Sequence, residues 1–307
     1  MVCCNKRDIK TVHKRVGEEK IINTKNCYSS VKVSIVITTK NAEKYMKDLL
    51  DSLIFQAQKP YEIIFVDAES QDKTREIVGD YAKRYDFIKL YVKAGTKAAG
   101  RNEGINVANG DIIVFIDADC IANALWIREI NNSFEEGADI VAGKTIKFGV
   151  GGFSDLPRVA IYHKNVDITY PSCNLAYKKE ILEKIGGFDP WFIEAEDVDL
   201  NFNAIEHGYK LTYNEDALVY HRARETLFGF IKQSFWYGFS RKQLTLKRGR
   251  LWSKYKPIEM VRISRKESIW KLLRLGIAFF GYMFCKLVGR KQELKERMRK
   301  SKISGRK

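Results

Sequence analysis

The sequence predicts an α/β fold in which a mostly parallel central sheet is flanked by helices and followed by a helical, basic C-terminal extension. Three observations predict it. Apolar, β-branched runs alternate with segments of helical periodicity from Val33 onward. The runs are near-continuous in hydrophobicity, the pattern of strands covered on both faces. Charge is segregated: residues 1–221 carry 29 Lys+Arg against 33 Asp+Glu, whereas residues 222–307 carry 25 against 5, so the whole net charge of +16 is C-terminal.

In order along the chain, the polar, mixed-charge residues 1–30 lack the apolar stretch of a secretory signal and read as a loosely ordered extension. Val33 to Thr38 is the first strand, and Leu49, Leu50, Leu53 and Ile54 mark the helix after it. Strands at Ile63 to Val66, Ile88 to Val92 and Ile112 to Ile116 follow, separated by a helix after Asp72 and one around Gly100 to Ala108. Beyond Ile140 the rhythm weakens into a mixed half. Here a helix is expected at Lys179 to Ile185, another at Val198 to His207, short strands at Lys210 to Tyr213 and Leu218 to Tyr220, and a longer amphipathic helix at Leu227 to Lys247. The organisation is then 1–30 extension, 31–221 catalytic domain with halves 31–142 and 143–221, and 222–307 basic helical segment. With 45% hydrophobic residues over 307, the chain buries a substantial core and full disorder is excluded. Cys3, Cys4, Cys27, Cys120, Cys173 and Cys285 have neither zinc-site spacing nor disulfide-scaffold density, which fits a reducing, cytoplasmic location.

Ligands of open α/β sheets bind beyond the carboxyl ends of the strands. Three polar clusters lie there: Thr38-Thr39-Lys40-Asn41, the stretch Asp67 to Asp72, and Asp117-Ala118-Asp119. Two carboxylates one residue apart at a strand end can share a hard divalent cation, although such a tripeptide also serves as turn or capping residues. No glycine-rich phosphate loop follows any strand. For a phosphorylated ligand, a metal ion would take over the neutralisation such a loop provides. The missing loop also weighs against a nucleotidyltransferase.

The order of motifs from Val33 to His221 resembles the family-two glycosyltransferases, which have the Rossmann-like, nucleotide-sugar-binding A-type fold. The resemblance rests on Val33-Ser34-Ile35-Val36-Ile37-Thr38-Thr39-Lys40-Asn41, the run from Ile64 to Thr74, Gly100-Arg101-Asn102-Glu103-Gly104 and Asp117-Ala118-Asp119. It continues through Cys173-Asn174-Leu175-Ala176, Gly186-Gly187-Phe188-Asp189 and Glu194-Ala195-Glu196-Asp197-Val198-Asp199-Leu200. It implies an inverting, metal-dependent transfer of a sugar from a UDP- or GDP-sugar. Thr38, Asp67, Arg101 and Asp117 would lie against the donor, Asp119 would ligate Mn²⁺ or Mg²⁺, with Asp117 reaching the ion through water, and Asp197 would be the catalytic base. Glu196 and Arg241 are assigned to acceptor or diphosphate. Ala68 and Glu69 stand where the family often has an acid and a glycine, leaving the donor base open between uridine and guanosine. The Gln-X-X-Arg-Trp motif of processive synthases is not present, which points to single-sugar transfer.

The residues themselves admit simpler readings beside these roles. Asp197 at a helix start is also an N-cap, and a helix start favours its ionised form by ~0.3 to 1 kcal/mol. His221, following a strand, is placed to approach the metal or the phosphates, though a lone histidine is commonly a packing residue. Arg241 also suits a solvated helix face.

In Ile269 to Val288 the uncharged core, Leu275 to Cys285, spans eleven residues, against the roughly 20 a crossing needs. Trp270, Phe279, Phe280, Tyr282 and Phe284 beside Arg290-Lys291 suit a helix lying in an anionic membrane interface, the alternative being a buried helix with a basic tail. Peripheral attachment at the cytoplasmic membrane face follows, with a glycan or polyprenyl-phosphate-linked acceptor; a soluble cytoplasmic enzyme is the alternative. The basic segment would also suit nucleic acid, but it carries no recognition motif and its aromatic clustering favours lipid.

Overall fold

The computed structural model describes residues 31–149, 160–223, 226–249 and 268–304. The reading of residues 1–30 as an extension lies outside them.

Ten strands and eight helices are described: β1 (Val33–Thr39), α1 (Glu43–Ile54), β2 (Glu62–Asp67), α2 (Thr74–Arg84), β3 (Ile88–Val92), α3 (Lys97–Val107), β4 (Ile112–Phe115), β5 (Cys120–Ala122), α4 (Trp126–Glu135), β6 (Ile140–Phe148), β7 (Tyr162–His163), β8 (Val166–Asp167), β9 (Leu175–Lys178), α5 (Lys179–Ile185), α6 (Glu196–Glu206), β10 (Leu211–Arg222), α7 (Leu227–Arg248) and α8 (Ser268–Ser304). Eight strands form one sheet in the order β3-β2-β1-β4-β9-β6-β10-β5, while β7 and β8 make a separate hairpin. Pairing is parallel from β3 to β4 and between β6 and β10. Strand β9 is antiparallel to both β4 and β6, and β5 is antiparallel to β10. Six strands therefore share one direction, and the mostly parallel sheet is as expected. The 142/143 division between halves falls inside β6, so one sheet carries both.

Strands β1, β2 and β4 are buried almost throughout because helices cover both faces, which is why their sequences are apolar at consecutive positions. One core cluster packs Met46, Leu49, Leu50 and Leu53 of α1 on Ile35, Ile37, Phe65 and Val114. On the other face Ile105, Phe115, Leu175, Tyr177, Phe188 and Leu200 form a second. Helix α3 approaches β1 closely: a Cβ added at Gly104 would lie 2.3 Å from Val36 Cγ1. That approach places the N-terminal half of α3 directly over the carboxyl ends of β1 and β2.

Two expected elements differ. Lys210 to Tyr213 and Leu218 to Tyr220 are not separate strands but the ends of β10, joined through a bulge between Asn214 and Leu218. Asn214 accepts from the Asp216 backbone N–H at 2.9 Å, and its amide donates to Ser133 Oγ of α4 at 2.8 Å, so the polar interruption is a pinned bulge within a continuing strand. His221 consequently lies in β10 rather than after a strand.

Helices α7 and α8 pack side by side. Phe230 meets Trp270 and Lys242 meets Tyr282, so the two run in the same direction. Their backbones touch at glycines: a Cβ at Gly238 would fall 1.7 Å from the Ala278 carbonyl and one at Gly281 would fall 2.0 Å from the Phe235 carbonyl. Gly281 and Cys285 of α8 are buried, while Leu272, Phe279, Phe280, Phe284 and Leu287 are exposed. The segment Ile269 to Val288 thus combines a buried face with an apolar exposed one. No helix among the described residues is long and apolar enough to cross a membrane.

Candidate active site

The loops at the carboxyl ends of β1 and β2 are stitched together by Asp67. Its carboxylate is fully buried and accepts from Thr39 Oγ1 at 2.8 Å, Ser70 Oγ at 2.5 Å and the Ser70 N–H at 2.7 Å. Arg75 stands 3.8 Å away. Ser70 Oγ in turn accepts from the Asn41 N–H, and Asn41 Oδ1 accepts from the Gln71 N–H, each at 2.8 Å. Glu69 has φ 57°, the left-handed conformation glycine adopts most easily, so the turn keeps that shape with a non-glycine residue. Thr38 is half-buried beside this turn, with α3 packed against it at Gly100.

Arg101 of α3 is the organising cation. It is 3% exposed and donates from Nη1 to Glu196 Oε1 at 2.5 Å and from Nη2 to Asp117 Oδ1 at 2.9 Å, with Phe188 under its guanidinium at 5.3 Å. Burial opposes its charge, but the carboxylates of Asp117, Glu196 and Asp197 outweigh burial and raise its pKa. One side chain thereby joins the end of β4 to the start of α6. Asp117, whose ionisation burial resists, is held below the usual carboxylate range by Arg101, Lys97 and His221.

Asp117, Asp119 and His221 come together at the other side of Arg101, with one ligand atom from each lying within 4.8 Å of the others. His221 Nε2 is 3.3 Å from Asp119 Oδ1. Burial lowers the imidazole pKa, but the hydrogen bond with Asp119 and the neighbouring anions raise it to about 9. Two carboxylates and an imidazole are a donor set that suits Mn²⁺ or Mg²⁺, so these residues fit the expected ion.

Asp197 is the second residue of α6; the N-cap is Ala195, in left-handed conformation with φ 68°. The Ser172 N–H donates to Asp197 Oδ2 at 3.1 Å and the Val198 N–H to Oδ1 at 2.8 Å. Its expected preference for ionisation is reversed. Burial and the adjacent Glu196 push its pKa up to about 7, more than the helix start and Arg101 can offset. The neighbouring Glu196 keeps one buried oxygen, Oε2, without a hydrogen-bond donor among the described residues.

Helix α7 grips the segment leading into α6, a relationship with no local sequence signal. Ser240 Oγ accepts from the Glu194 N–H at 3.1 Å, Gln243 donates to the Trp191 carbonyl at 2.7 Å, and Lys247 and Arg248 both engage Asp199. Asp199 is therefore a tether for α7. Arg241, also on α7, is half-buried and, with Glu194 and Asp197, is among the charges acting on Tyr237, so it does not lie on a solvated face. Two further residues support the site without a role legible in sequence: Asn102, whose amide clamps both backbone groups of Phe188 in the Gly186-Gly187-Phe188 turn, and Lys97, 3.7 Å from Glu194.

Residues 34–189, half of the chain, match the model of glycosyl transferase family 2. The chain belongs to that family. It is 28% identical over 207 residues to the glycosyltransferase AglE of Haloferax volcanii, covering 62% of this chain and 67% of that one. It is likewise 28% identical over 243 residues, covering 71% and 74%, to a dolichyl N-acetyl-α-D-glucosaminyl phosphate 3-β-D-2,3-diacetamido-2,3-dideoxy-β-D-glucuronosyltransferase of Methanococcus voltae. Its alignments span 63% and 32% of the lengths of two further glycosyltransferases. Among solved structures it resembles a mannosyltransferase of Pyrobaculum calidifontis in complex with GDP-Man and Mn²⁺, with a TM-score of 0.56, 21% identity and coverage of 82% of this chain and 74% of that one. That likeness establishes the A-type glycosyltransferase fold.

Proposed function

We propose that this glycosyltransferase moves one sugar, with inversion, from a UDP- or GDP-sugar to a hydroxyl or phosphate of a lipid-linked or cell-surface glycan acceptor. The observation that carries the reading is Arg101. It fastens the carboxylate-imidazole cluster of Asp117, Asp119 and His221 to the Glu196-Asp197 pair, so a donor site and a base share one buried cation. The mannosyltransferase with GDP-Man and Mn²⁺ and the dolichyl-phosphate-linked relative support the donor and acceptor classes.

In this reading Thr38 and the turn shaped by Asp67 receive the nucleoside, with Asp67 acting through the turn because its own carboxylate is enclosed. Asp119, with His221 and Asp117, would hold Mn²⁺ or Mg²⁺, which supplies positive charge against the diphosphate. Asp197 takes the proton of the acceptor hydroxyl as its oxygen bonds to the anomeric carbon and the bond from that carbon to the diphosphate breaks on the opposite face. A pKa of about 7 suits the task, since such a base is about half ionised at neutral pH and basic enough to accept a proton. On the acceptor side Arg241 would offer a charge for phosphate, while Glu196, which is buried, would act by holding Arg101 in place.

The exposed apolar side chains of α8, within the strongly basic C-terminal segment, support peripheral attachment to an anionic membrane, which would bring a polyprenyl-phosphate acceptor to the site. The test is turnover of a panel of UDP- and GDP-sugars with membranes as acceptor source, with Mn²⁺ and with EDTA. Transfer from one nucleotide class, lost in EDTA and in Asp197→Asn while donor binding persists in that variant, is the expected result. Near wild-type transfer by Asp197→Asn removes Asp197 as the base.

A further inference from the structure

The described residues hold a second cluster of metal-ligating atoms, different in chemistry from the carboxylates. Cys120 and His221 are direct cross-strand partners in the antiparallel pairing of β5 with β10, which brings their side chains together on one face. Cys173, in the short turn before β9, completes the group, and one donor atom from each of Cys120, Cys173 and His221 lies within 4.8 Å of the others. Both cysteines are free thiols, 1% and 5% exposed, and the Cys173 thiol has a hydroxyl, Thr145 Oγ1, at 3.9 Å. Neither sulfur has a part in the proposed transfer.

We infer that Cys120, Cys173 and His221 form a site for a thiophilic cation such as Zn²⁺ or Cd²⁺, and that its occupation antagonises the hard-cation centre of Asp117 and Asp119 by claiming the imidazole they share. Two sulfurs and one nitrogen select soft or borderline cations over Mg²⁺ and Mn²⁺. The three donor atoms, all within 4.8 Å of one another, can take three corners of a tetrahedron with zinc bonds of roughly 2.3 Å to sulfur and 2.0–2.1 Å to nitrogen, leaving the fourth to water. Each thiol loses its proton to solvent as its bond to the ion forms, and no redox partner is needed. His221 is exposed by 19% and gives the ion its path from the crevice. The binding site stands on these three side chains alone; the antagonism rests on the proposed donor centre.

The test uses the full chain carrying Cys3→Ala, Cys4→Ala and Cys27→Ala, so that only Cys120, Cys173 and Cys285 remain, under reducing conditions. Titration with Cd²⁺ should produce a thiolate-to-metal charge-transfer band that saturates at one equivalent. Adding Cys120→Ala and Cys173→Ala should abolish it. His221→Ala should weaken Cd²⁺ binding by more than the roughly 10- to 100-fold that loss of an outer partner costs. X-ray absorption of the zinc-loaded parent, which needs no core variant to fold, should show two sulfur ligands. No band, a band that survives the double substitution, or fewer than two sulfurs overturns the site. Mn²⁺ binding, followed by the electron paramagnetic resonance of the free ion, should weaken about tenfold or more when Cd²⁺ is bound. Unchanged Mn²⁺ affinity beside a full cadmium band overturns the antagonism. Failure of Mn²⁺ to bind the cadmium-free chain counts against the donor centre instead, and the band still decides the thiol site.

Discussion

Replacing Arg101 by Gln should disable the enzyme in two measurable ways. Arg101 and Glu196 are 3% and 5% exposed, so their contact is little screened by water, whereas Asp117, at 28%, can be partly rehydrated. Removing one partner of a buried ion pair leaves an uncompensated charge and costs about 3–5 kcal/mol, a large share of the 5–15 kcal/mol typical of a folded chain. At roughly 2–4 °C per kcal/mol, the melting temperature should fall by about 6–20 °C. The second consequence is electrostatic. Arg101 is the main charge holding Asp197 down against burial and Glu196. Without it the acid limb of the pH–rate profile should move above 7, and any residual transfer should shift toward alkaline pH. Arg101→Lys keeps the charge but not the fork that reaches two carboxylates, and should fall between the two. Calorimetry and a pH profile of kcat/KM for both variants supply the readouts. An Arg101→Gln protein that melts within about 2 °C of the parent with an unmoved acid limb would refute the assignment of Arg101 as the joint between donor and acceptor sides.

In the parent, a base with a pKa near 7 must be ionised to work, so kcat/KM should drop about tenfold per unit below pH 7; a flat profile to pH 5 excludes Asp197. The same group has the opposite effect on stability. Its folded value lies above the ordinary 3.8, so its contribution is fully present below about 4 and lost as pH rises through 7, which urea titrations of Asp197→Asn against the parent should detect as a smaller pH dependence in the variant. Asp119→Asn should raise the Mn²⁺ requirement and cut turnover by at least about a hundredfold, with a melting temperature near that of the parent; activity indifferent to Asp119 would remove it from the centre. Gly104→Val should destabilise by about 1–3 kcal/mol or more, because even its Cβ would meet Val36 at 2.3 Å; an unchanged melting curve would contradict the close α3–β1 packing. Phe279→Ser with Phe280→Ser should reduce binding to anionic vesicles in flotation without lowering the melting temperature, since both rings are exposed; undiminished flotation would locate the membrane contact elsewhere or deny it.

The legible part of the fold was the part set by local pattern. Strands β1 to β4 are runs such as Ile112 to Phe115, buried on both faces and therefore apolar at every position. Helix α5 was readable because it is short and bounded by Gly186 in left-handed conformation with φ 85°. Strand β9 was not, because its four residues gain strand structure only from lying between β4 and β6, from which it is distant in sequence. The bulge in β10 is hidden for a related reason: Asn214, Glu215 and Asp216 look like a break, but Asn214 is anchored to α4 and the strand pairs with β6 on both sides of them. In the site, the carboxylates are visible at strand ends, but the ionisation of Asp197 departs from what its helix start predicts. A helix start contributes ~0.3 to 1 kcal/mol, whereas burial beside Glu196 pushes the pKa up to about 7.

The same contrast explains why the site is built around Arg101. Asp117 and Glu196 lie 79 residues apart, just after β4 and at the start of α6, and each would be costly to bury alone. A guanidinium offers donors in two directions at once and cannot be neutralised, so it holds the two carboxylates at a fixed separation. Helix α3 can present that group only because Gly100 and Gly104, flanking Arg101, let it lie against Thr38 and Val36 of β1. The glycines set the depth of the helix, the depth sets the reach of the arginine, and the arginine sets how far the proton on Asp197 lies from neutrality. A substitution at Gly104 should therefore shift the acid limb of catalysis as well as the melting temperature, because both follow from the position of one helix.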